Sequence, residues 1–159
     1  MKVCVQTQDF DLNAEIACLR ETHVQAGALA SFVGVVRSEG HNRQDYALEL
    51  EHYPGMTEKV IAEMVALAVK RFQLLDATVI HRVGRLPAGE QIVLVLTAAQ
   101  HRRLAFEGCE FIMDYLKTQA PFWKKEHGLT HSGWVDARES DDEALRRWGI
   151  HSSNSGGAG

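Results

Sequence analysis

The residues best able to do chemistry lie within residues 114–126, Asp-Tyr-Leu-Lys-Thr-Gln-Ala-Pro-Phe-Trp-Lys-Lys-Glu. Lys117 stands near the end of an apolar helical pattern, which Pro121 interrupts. Two aromatic residues then lead directly into Lys124. Ammonium groups beside large apolar side chains can form a partly dry cationic pocket, which binds anions and can lower a lysine pKa far enough for proton transfer. The alternative interpretation is a helix end that carries solvated lysines.

A second cationic group, Gln-His-Arg-Arg at residues 100–103, opens the same helical pattern. Cations at a helix start oppose the helix dipole, at about 0.3–1 kcal/mol each, whereas the free N–H groups there favour anions. His101 and Arg102 are therefore well placed to hold a phosphate or carboxylate; the alternative is a solvated turn whose arginines pair with nearby acids. Arg37 is a third candidate, because it follows an apolar strand pattern and a strand end can hold a functional guanidinium. Its alternative is an exposed edge arginine.

The distance between the two cationic groups limits how they can cooperate. His101 and Lys117 are 16 positions apart, which is ~24 Å along an unbroken helix. One small phosphate cannot touch both ends of that helix. Either there are two separate sites, or two copies of the chain share one site, with the helix start from one copy and the lysines from the other. We favour the shared site, which predicts a homodimer.

Three other groups of polar residues are weaker candidates. His127 and His131 have helical spacing, but a glycine lies between them and no helix is expected there, so a metal site is not favoured. Cys109 lies among apolar residues of the helical pattern, which indicates a packing residue rather than a nucleophile. Glu49 and Glu51 alternate with apolar residues and are expected to form a solvated strand face.

Hydrophobic periodicity predicts the elements that position these residues. Strands are expected at residues 3–6, 28–36, 46–53, 77–83, 91–97 and 133–135, and helices at 13–22, 57–72, about 100–118 and 140–148. The strand at 91–97 is continuously apolar, which is typical of a central strand covered on both faces.

Several finer expectations follow from the same patterns. The strands at 28–36 and 46–53 are expected to form a hairpin with a long polar loop, and residues 84–90 to form a connecting loop. Thr57 is expected to cap the second helix, and a capping box from Ser140 to open the last one. The chain after Pro121 is expected to be irregular until Gly133.

The order of elements indicates one α+β domain, residues 1–150, with helices packed on a mostly antiparallel sheet. Residues 151–159 are rich in serine and glycine and are expected to form a flexible tail. The net charge of −4 does not suit a general nucleic-acid binder, and no apolar run is long enough to span a bilayer. Three widely spaced cysteines argue against a disulfide framework and suit the reducing cytoplasm.

Five sequence blocks, in order, resemble one protein family. They are Phe-Val-Gly-Val-Val-Arg at 32–37, Leu-Glu-His-Tyr-Pro-Gly-Met at 50–56, Ile-His-Arg-Val-Gly at 80–84, His-Arg at 101–102, and residues 111–124. Together they make the chain similar, over about residues 27–148, to the large, catalytic subunit of molybdopterin synthase. The resemblance implies an α/β-hammerhead fold combined with a further α+β region, and a central dimer within a heterotetramer.

The resemblance also implies a reaction and its site residues. A small ubiquitin-like partner, carrying a thiocarboxylate on its C-terminal Gly-Gly, would insert its tail, and sulfur would pass to cyclic pyranopterin monophosphate to form the dithiolene of molybdopterin. Neither a cofactor nor a metal is implied, because the thiocarboxylate brings the nucleophilic sulfur. By matching of positions, the essential lysines are Lys117 and Lys124, the anion-binding residues are Arg37, His101 and Arg102, and the pocket-lining residues are Phe32, Met113 and Arg138.

Two other functions would fit parts of the pattern. A non-catalytic adaptor could bind a ubiquitin-like tail in the same groove and leave the phosphate substrate unconverted. A small-anion enzyme such as a phosphohydrolase would need a general base or a metal, and the sequence offers no convincing carboxylate–histidine pair.

Overall fold

The computed structural model describes residues 1–38, 46–128, 132–135, 143–144 and 146–149. In chain order the elements are β1 (Lys2–Gln6), α1 (Leu12–Thr22), β2 (Ala28–Val35), β3 (Tyr46–His52), α2 (Met56–Phe72), β4 (Asp76–Arg82), β5 (Gly84–Pro87), β6 (Gln91–Ala99), α3 (Arg102–Thr118), β7 (Phe122–Gly128) and β8 (Ser132–Val135). The α+β class is confirmed. The pairing is mostly antiparallel as predicted, but the strands divide between two sheets instead of one.

The first sheet has the order β1-β4-β6-β2 and holds the main core. Its only parallel pair among the described strands is β1 with β4. β6 lies inside the sheet, and its apolar run serves both faces: Val93 and Val95 pack with α2 and α3, whereas Leu94 and Leu96 pack on the side of α1. The prediction of a central strand covered on both faces is therefore confirmed.

The second sheet has the order β5-β3-β7-β8 and is antiparallel throughout. The predicted hairpin of the strands near 28–36 and 46–53 is wrong, because β2 pairs with β6 while β3 pairs with β5 and β7. The physical reason is burial: β2 adds an apolar strand to a sheet that helices cover on both faces, whereas β3 alternates with charged residues and suits a sheet with one solvated face. The connecting loop predicted at 84–90 contains β5 instead.

The start of α2 also differs from the prediction. Gly55 is the N-cap, with φ of 83°, so the helix begins before Thr57. The Thr57 side chain is fully buried and has another use: its hydroxyl accepts a hydrogen bond from the Tyr53 N–H at 3.0 Å and donates one to the Pro121 carbonyl at 3.2 Å. A glycine can adopt the positive φ of this turn, which lets the helix start early and frees Thr57 to join α2 to the chain before β7.

The segment after Pro121 is the largest difference from the sequence pattern. It was expected to be irregular, but Phe122–Gly128 forms β7, which pairs with both β3 and β8. The pattern hides this strand because polar residues occupy both of its faces. The strand predicted at 133–135 is confirmed as β8. The capping box at Ser140 and the C-terminal tail lie outside the described residues. No helix among the described residues is long and apolar enough to cross a membrane.

Candidate active site

A pocket of about 430 Å³ opens between β2 and α3. Its floor consists of apolar side chains, and two carboxylates and one ammonium group stand around it. Pockets of this size accommodate small organic molecules or an extended peptide end. The lining residues are Ala30, Ser31 and Phe32 from β2 and Phe106, Cys109, Glu110, Met113, Asp114 and Lys117 from α3.

The pocket exists because α3 runs along β2 in the same direction. The Thr97 hydroxyl donates to the Ala105 carbonyl at 2.8 Å and lies 3.4 Å from the Ala30 carbonyl. One helical turn later, the Cys109 thiol donates to the Val95 carbonyl at 3.8 Å, and Val95 is the sheet partner of Phe32. One helical turn rises ~5.4 Å and two strand residues span ~6.6 Å, so α3 and β2 remain aligned residue by residue along this stretch.

Because α3 runs in the same direction as β2, the cationic residues lie at opposite ends of α3. Lys117 lies at the end of the helix towards Arg37, the residue that follows β2 by two positions. His101 lies at the opposite end, where the chain is tightly packed: a Cβ atom on Gly27 would come within 2.3 Å of the Gln100 carbonyl oxygen. Within one copy of the chain, the two cationic groups therefore face different ends of the pocket, as the helix length predicts.

Three of the predicted site residues meet in this pocket: Phe32, Met113 and Lys117. Four others lie elsewhere. Lys124 lies on β7 of the second sheet, and its side chain is exposed. Arg37, His101 and Arg102 are exposed and do not line the pocket, and Arg138 lies outside the described residues.

The charges around the pocket are unevenly neutralised. Glu110 pairs with Arg147 at 3.2 Å. Asp114 accepts a hydrogen bond from the Trp148 indole N–H at 2.8 Å and lies 3.4 Å from the Arg147 guanidinium. Within the described part of the chain, Lys117 forms no salt bridge. The pocket therefore offers an uncommitted ammonium group beside acids whose charge is already compensated.

The start of α3 combines three cationic residues with no acid in its first turn. Arg103 agrees with the alternative of a solvated turn whose arginines pair with nearby acids, because its guanidinium donates a hydrogen bond to the Glu107 carboxylate at 2.8 Å. His101 is the N-cap residue, yet its side chain caps no backbone N–H. In the ranges that the structure describes, neither His101 nor Arg102 takes part in a salt bridge. These two side chains remain available to a ligand or a second subunit.

The start of β7 is held by contacts that sequence reasoning missed. His81, at the end of β4, is buried and its ring stacks on Phe122, with centroids 4.0 Å apart and planes at 19°. Burial, helped by the positive charge of nearby Lys124, lowers the pKa of His81 to about 4. Together with the Thr57 hydroxyl on Pro121, this stack fixes the chain just before Lys124. The sequence pattern did not predict these two contacts, because each joins residues more than 40 positions apart.

The weaker candidates have structural explanations. Cys109 is buried, and burial raises the pKa of its thiol to about 11, which confirms a packing residue rather than a nucleophile. His127 lies 2.6 Å from Glu49, and this hydrogen bond is the main cause that lowers the Glu49 pKa. Glu49 is therefore paired on its strand face, while Glu51 is exposed as expected. His131 lies outside the described ranges.

Comparison with known proteins identifies the family. The family model for the MoaE protein matches residues 5–119. A molybdopterin synthase catalytic subunit from Ralstonia nicotianae is 56% identical over 97% of this chain and 88% of its own length. A solved molybdopterin biosynthesis MoaE protein from Burkholderia ambifaria is 54% identical, with a TM-score of 0.82, covering 94% of this chain and 99% of that one. The solved molybdopterin synthase from Staphylococcus aureus is 25% identical, with a TM-score of 0.73 over 83% of this chain and 95% of that one. The chain belongs to the MoaE family, whose curated relatives are molybdopterin synthase catalytic subunits.

Proposed function

We propose that this chain transfers sulfur from the C-terminal thiocarboxylate of a small ubiquitin-like carrier to cyclic pyranopterin monophosphate, as the catalytic subunit of molybdopterin synthase. The observation that carries the proposal is the pocket between β2 and α3, where Lys117 stands beside Phe32 and Met113. An extended Gly-Gly tail is narrow enough to enter such a groove. The apolar floor would exclude water from the thiocarboxylate, and the ammonium would balance its charge.

The chemistry divides simply between the substrates and the protein. The thiocarboxylate already carries the nucleophilic sulfur, so the subunit has to position the reactants and stabilise charge. Lys117 would stabilise the charge that develops as the acyl–sulfur bond breaks, and would move a proton. Lys124 would assist and hold the carrier's tail. His101, Arg102 and Arg37 would hold the phosphate, and Arg138 would complete the pocket wall.

The parallel course of α3 and β2 supports a site shared between two copies. Among the described strands, β2 is hydrogen-bonded on one side only, to β6. A second copy, related by a two-fold axis near the middle of β2, would run its own β2 and α3 in the opposite direction. The His101 end of that second helix would then lie beside the Lys117 and Arg37 end of the first. A homodimer of this kind would stand at the centre of a heterotetramer with two carriers.

The compartment follows from the reaction and from the cysteines. Cys4, Cys18 and Cys109 are all free thiols in the structure. Free thiols of this kind are typical of a reducing compartment. We place the reaction in the cytoplasm, and we expect neither a nucleic acid nor a membrane among its partners.

The direct test is sulfur transfer by purified chain, thiocarboxylated carrier and pterin precursor, with dithiolene product as the readout. Lys117→Ala should lower the single-turnover rate by about 100-fold or more, the range of a lost acid–base group. Lys70→Ala is the matched control, because Lys70 also lies in the last turn of a helix and is exposed. Near-normal turnover of Lys117→Ala would remove Lys117 from the mechanism. Carrier binding without any conversion by the unmodified chain would favour the adaptor.

Complementation tests the shared site separately. Lys117→Ala and His101→Ala chains, each nearly inactive alone, are co-expressed with different tags and the mixed dimer is purified. One of its two sites would contain both an intact Lys117 and an intact His101, so about half of the activity per dimer should return. A mixed dimer as inactive as its parents would place both residues in the site of a single copy.

A further inference from the structure

His81 is a buried titratable side chain that has no role in the proposed reaction. It lies at the end of β4, on the same face as Ala77 and Val79, which belong to the main core. Its ring reaches beyond that core and stacks on Phe122, the first residue of β7. Phe122 packs against the cores of both sheets. His81 therefore lies where the first sheet supports the second.

The structure fixes the tautomer of this ring. Nδ1 of His81 lies 2.8 Å from the backbone carbonyl oxygen of Arg82. A carbonyl oxygen can only accept, so Nδ1 carries the proton. Burial keeps the ring neutral at physiological pH, because its pKa is lowered to about 4. Nε2 consequently carries a lone pair and no proton.

The same ring lies close to the second lysine of the proposed mechanism. Phe122 and Lys124 are two positions apart on β7, so their side chains leave the strand on the same face. That face is the one of Leu50 and His52, the cross-strand partners of Lys124 and Phe122. The charges of Lys124 and His52 both act on His81. Nε2 of His52 lies 3.4 Å from the Glu58 carboxylate.

We propose that His81 is a positioning residue for Lys124, acting through its stack on Phe122 and through Nε2, the ring nitrogen that the Nδ1–H bond to the Arg82 carbonyl leaves as a hydrogen-bond acceptor. This inference rests on the proposed function, which gives Lys124 its role. A protonated ring at the same place would repel the ammonium and lose its acceptor. A phenylalanine would keep the stack but offer no lone pair. A histidine held as the Nδ1–H tautomer supplies both.

The test is a double-mutant cycle in the complete synthase with its carrier. His81→Phe should lower kcat about 10-fold while the KM for the thiocarboxylated carrier stays within about 2-fold, since the carrier's binding surface is unchanged. In a Lys124→Ala background the same change should alter kcat by less than about 2-fold, because the group that His81 positions is already gone. An unchanged kcat for His81→Phe, or an equal loss in both backgrounds, would overturn the proposal.

Two further measurements exclude a merely structural effect. Val79→Ala removes bulk from the same face of the same strand, and its kcat per folded molecule should stay at the wild-type value. Nitrogen NMR of the His81 ring in the complex should show protonated Nδ1 and bare Nε2 from pH 5.5 to 8; a proton on Nε2 would contradict the proposal. If Lys124→Ala itself turns over normally, the assigned role of Lys124 fails and this inference falls with it. If Lys124→Ala is impaired but His81→Phe lowers kcat equally in both backgrounds, the positioning role of His81 is wrong while the role of Lys124 stands.

Discussion

The two sheets differ in how deeply their strands are buried. In the first sheet, β4 is buried from Ala77 to Arg82 and β6 from Val93 to Ala99. In the second sheet, no residue of β7 is fully buried, and Trp123 and Trp134 are exposed on its outer face. The first sheet has helices on both faces, whereas a small cluster around Leu48, Leu50 and Leu86 supports the second.

The difference separates stability from chemistry. Deep burial supplies most of the free energy of folding, but it excludes groups that must stay charged and reachable. The two lysines that we propose for the reaction follow this rule: Lys117 lies at the rim of the first sheet, where α3 ends, and Lys124 lies on the more open second sheet. His81 and Thr57 join the two regions, because each contacts the chain at the start of β7.

The largest expected effect compares how much the cores of the two sheets contribute to the free energy of unfolding. Phe111 is completely buried in the main core, so Phe111→Ala should lower the free energy of unfolding by about 3–5 kcal/mol. Leu50 is 2% exposed in the smaller cluster, and Leu50→Ala should cost about 2–3 kcal/mol, because a cluster near solvent can relax around the cavity. Urea unfolding of both variants measures the difference. A larger loss for Leu50→Ala would reverse the comparison.

Acid should weaken the contact between the sheets through His81. The pKa of His81 is about 4 in the folded chain and near 6.5 when unfolded, so between these values the unfolded state binds more protons. The contribution of His81 to stability is fully present well above pH 6.5 and should fall by roughly 3 kcal/mol as the pH drops towards 4. Thermal unfolding from pH 4 to 7 follows this loss. His81→Phe should flatten the curve over that range; an identical slope in the variant would assign the acid sensitivity to other groups.

A smaller effect is expected at Thr57. Thr57→Val keeps the shape of the side chain but leaves the Tyr53 N–H and the Pro121 carbonyl without the hydroxyl, at about 1–3 kcal/mol. Thr57→Ser retains the hydroxyl and is the control, which should keep both hydrogen bonds. Urea unfolding gives the stability, and sulfur transfer reports on the position of β7. Equal stability of the Val and Ser variants would mean that the hydroxyl contributes nothing.

The smallest effect is expected on the outer face of the second sheet. The hydrogen bond from His127, helped by Lys125 and Arg85, lowers the pKa of Glu49. This contribution to stability is present above the ordinary glutamate pKa and is lost as the pH falls through the lowered one. Glu49→Gln should lower Tm slightly at pH 7 and by less at pH 3, which lies below the ordinary glutamate pKa. A drop in Tm of the same size at both pH values would show that charge is not its cause.

The sequence predicts the elements of the buried first sheet more accurately than those of the open second sheet. The apolar run at residues 92–96 predicts a central strand, and the stripe that includes Ile61 and Met64 predicts α2, because periodicity and burial coincide there. β7 was missed because Lys124 and Glu126 lie on its inner face, which breaks the apolar alternation. Of the candidate site, the sequence placed Lys117 correctly at the end of a helix. The roles given to the site residues stay predictions until the variants are measured.

The sequence by itself determined the helices and strands of the first sheet, the positions of the cationic residues along the chain, and the membership of a family. The tertiary structure alone decided that β2 pairs with β6, that the strands divide into two sheets, and that Phe32, Met113 and Lys117 line one pocket. It also decided the neutral state of His81. The reason is that local patterns are set by neighbouring residues, whereas pairing, pockets and pKa values depend on which distant faces bury one another.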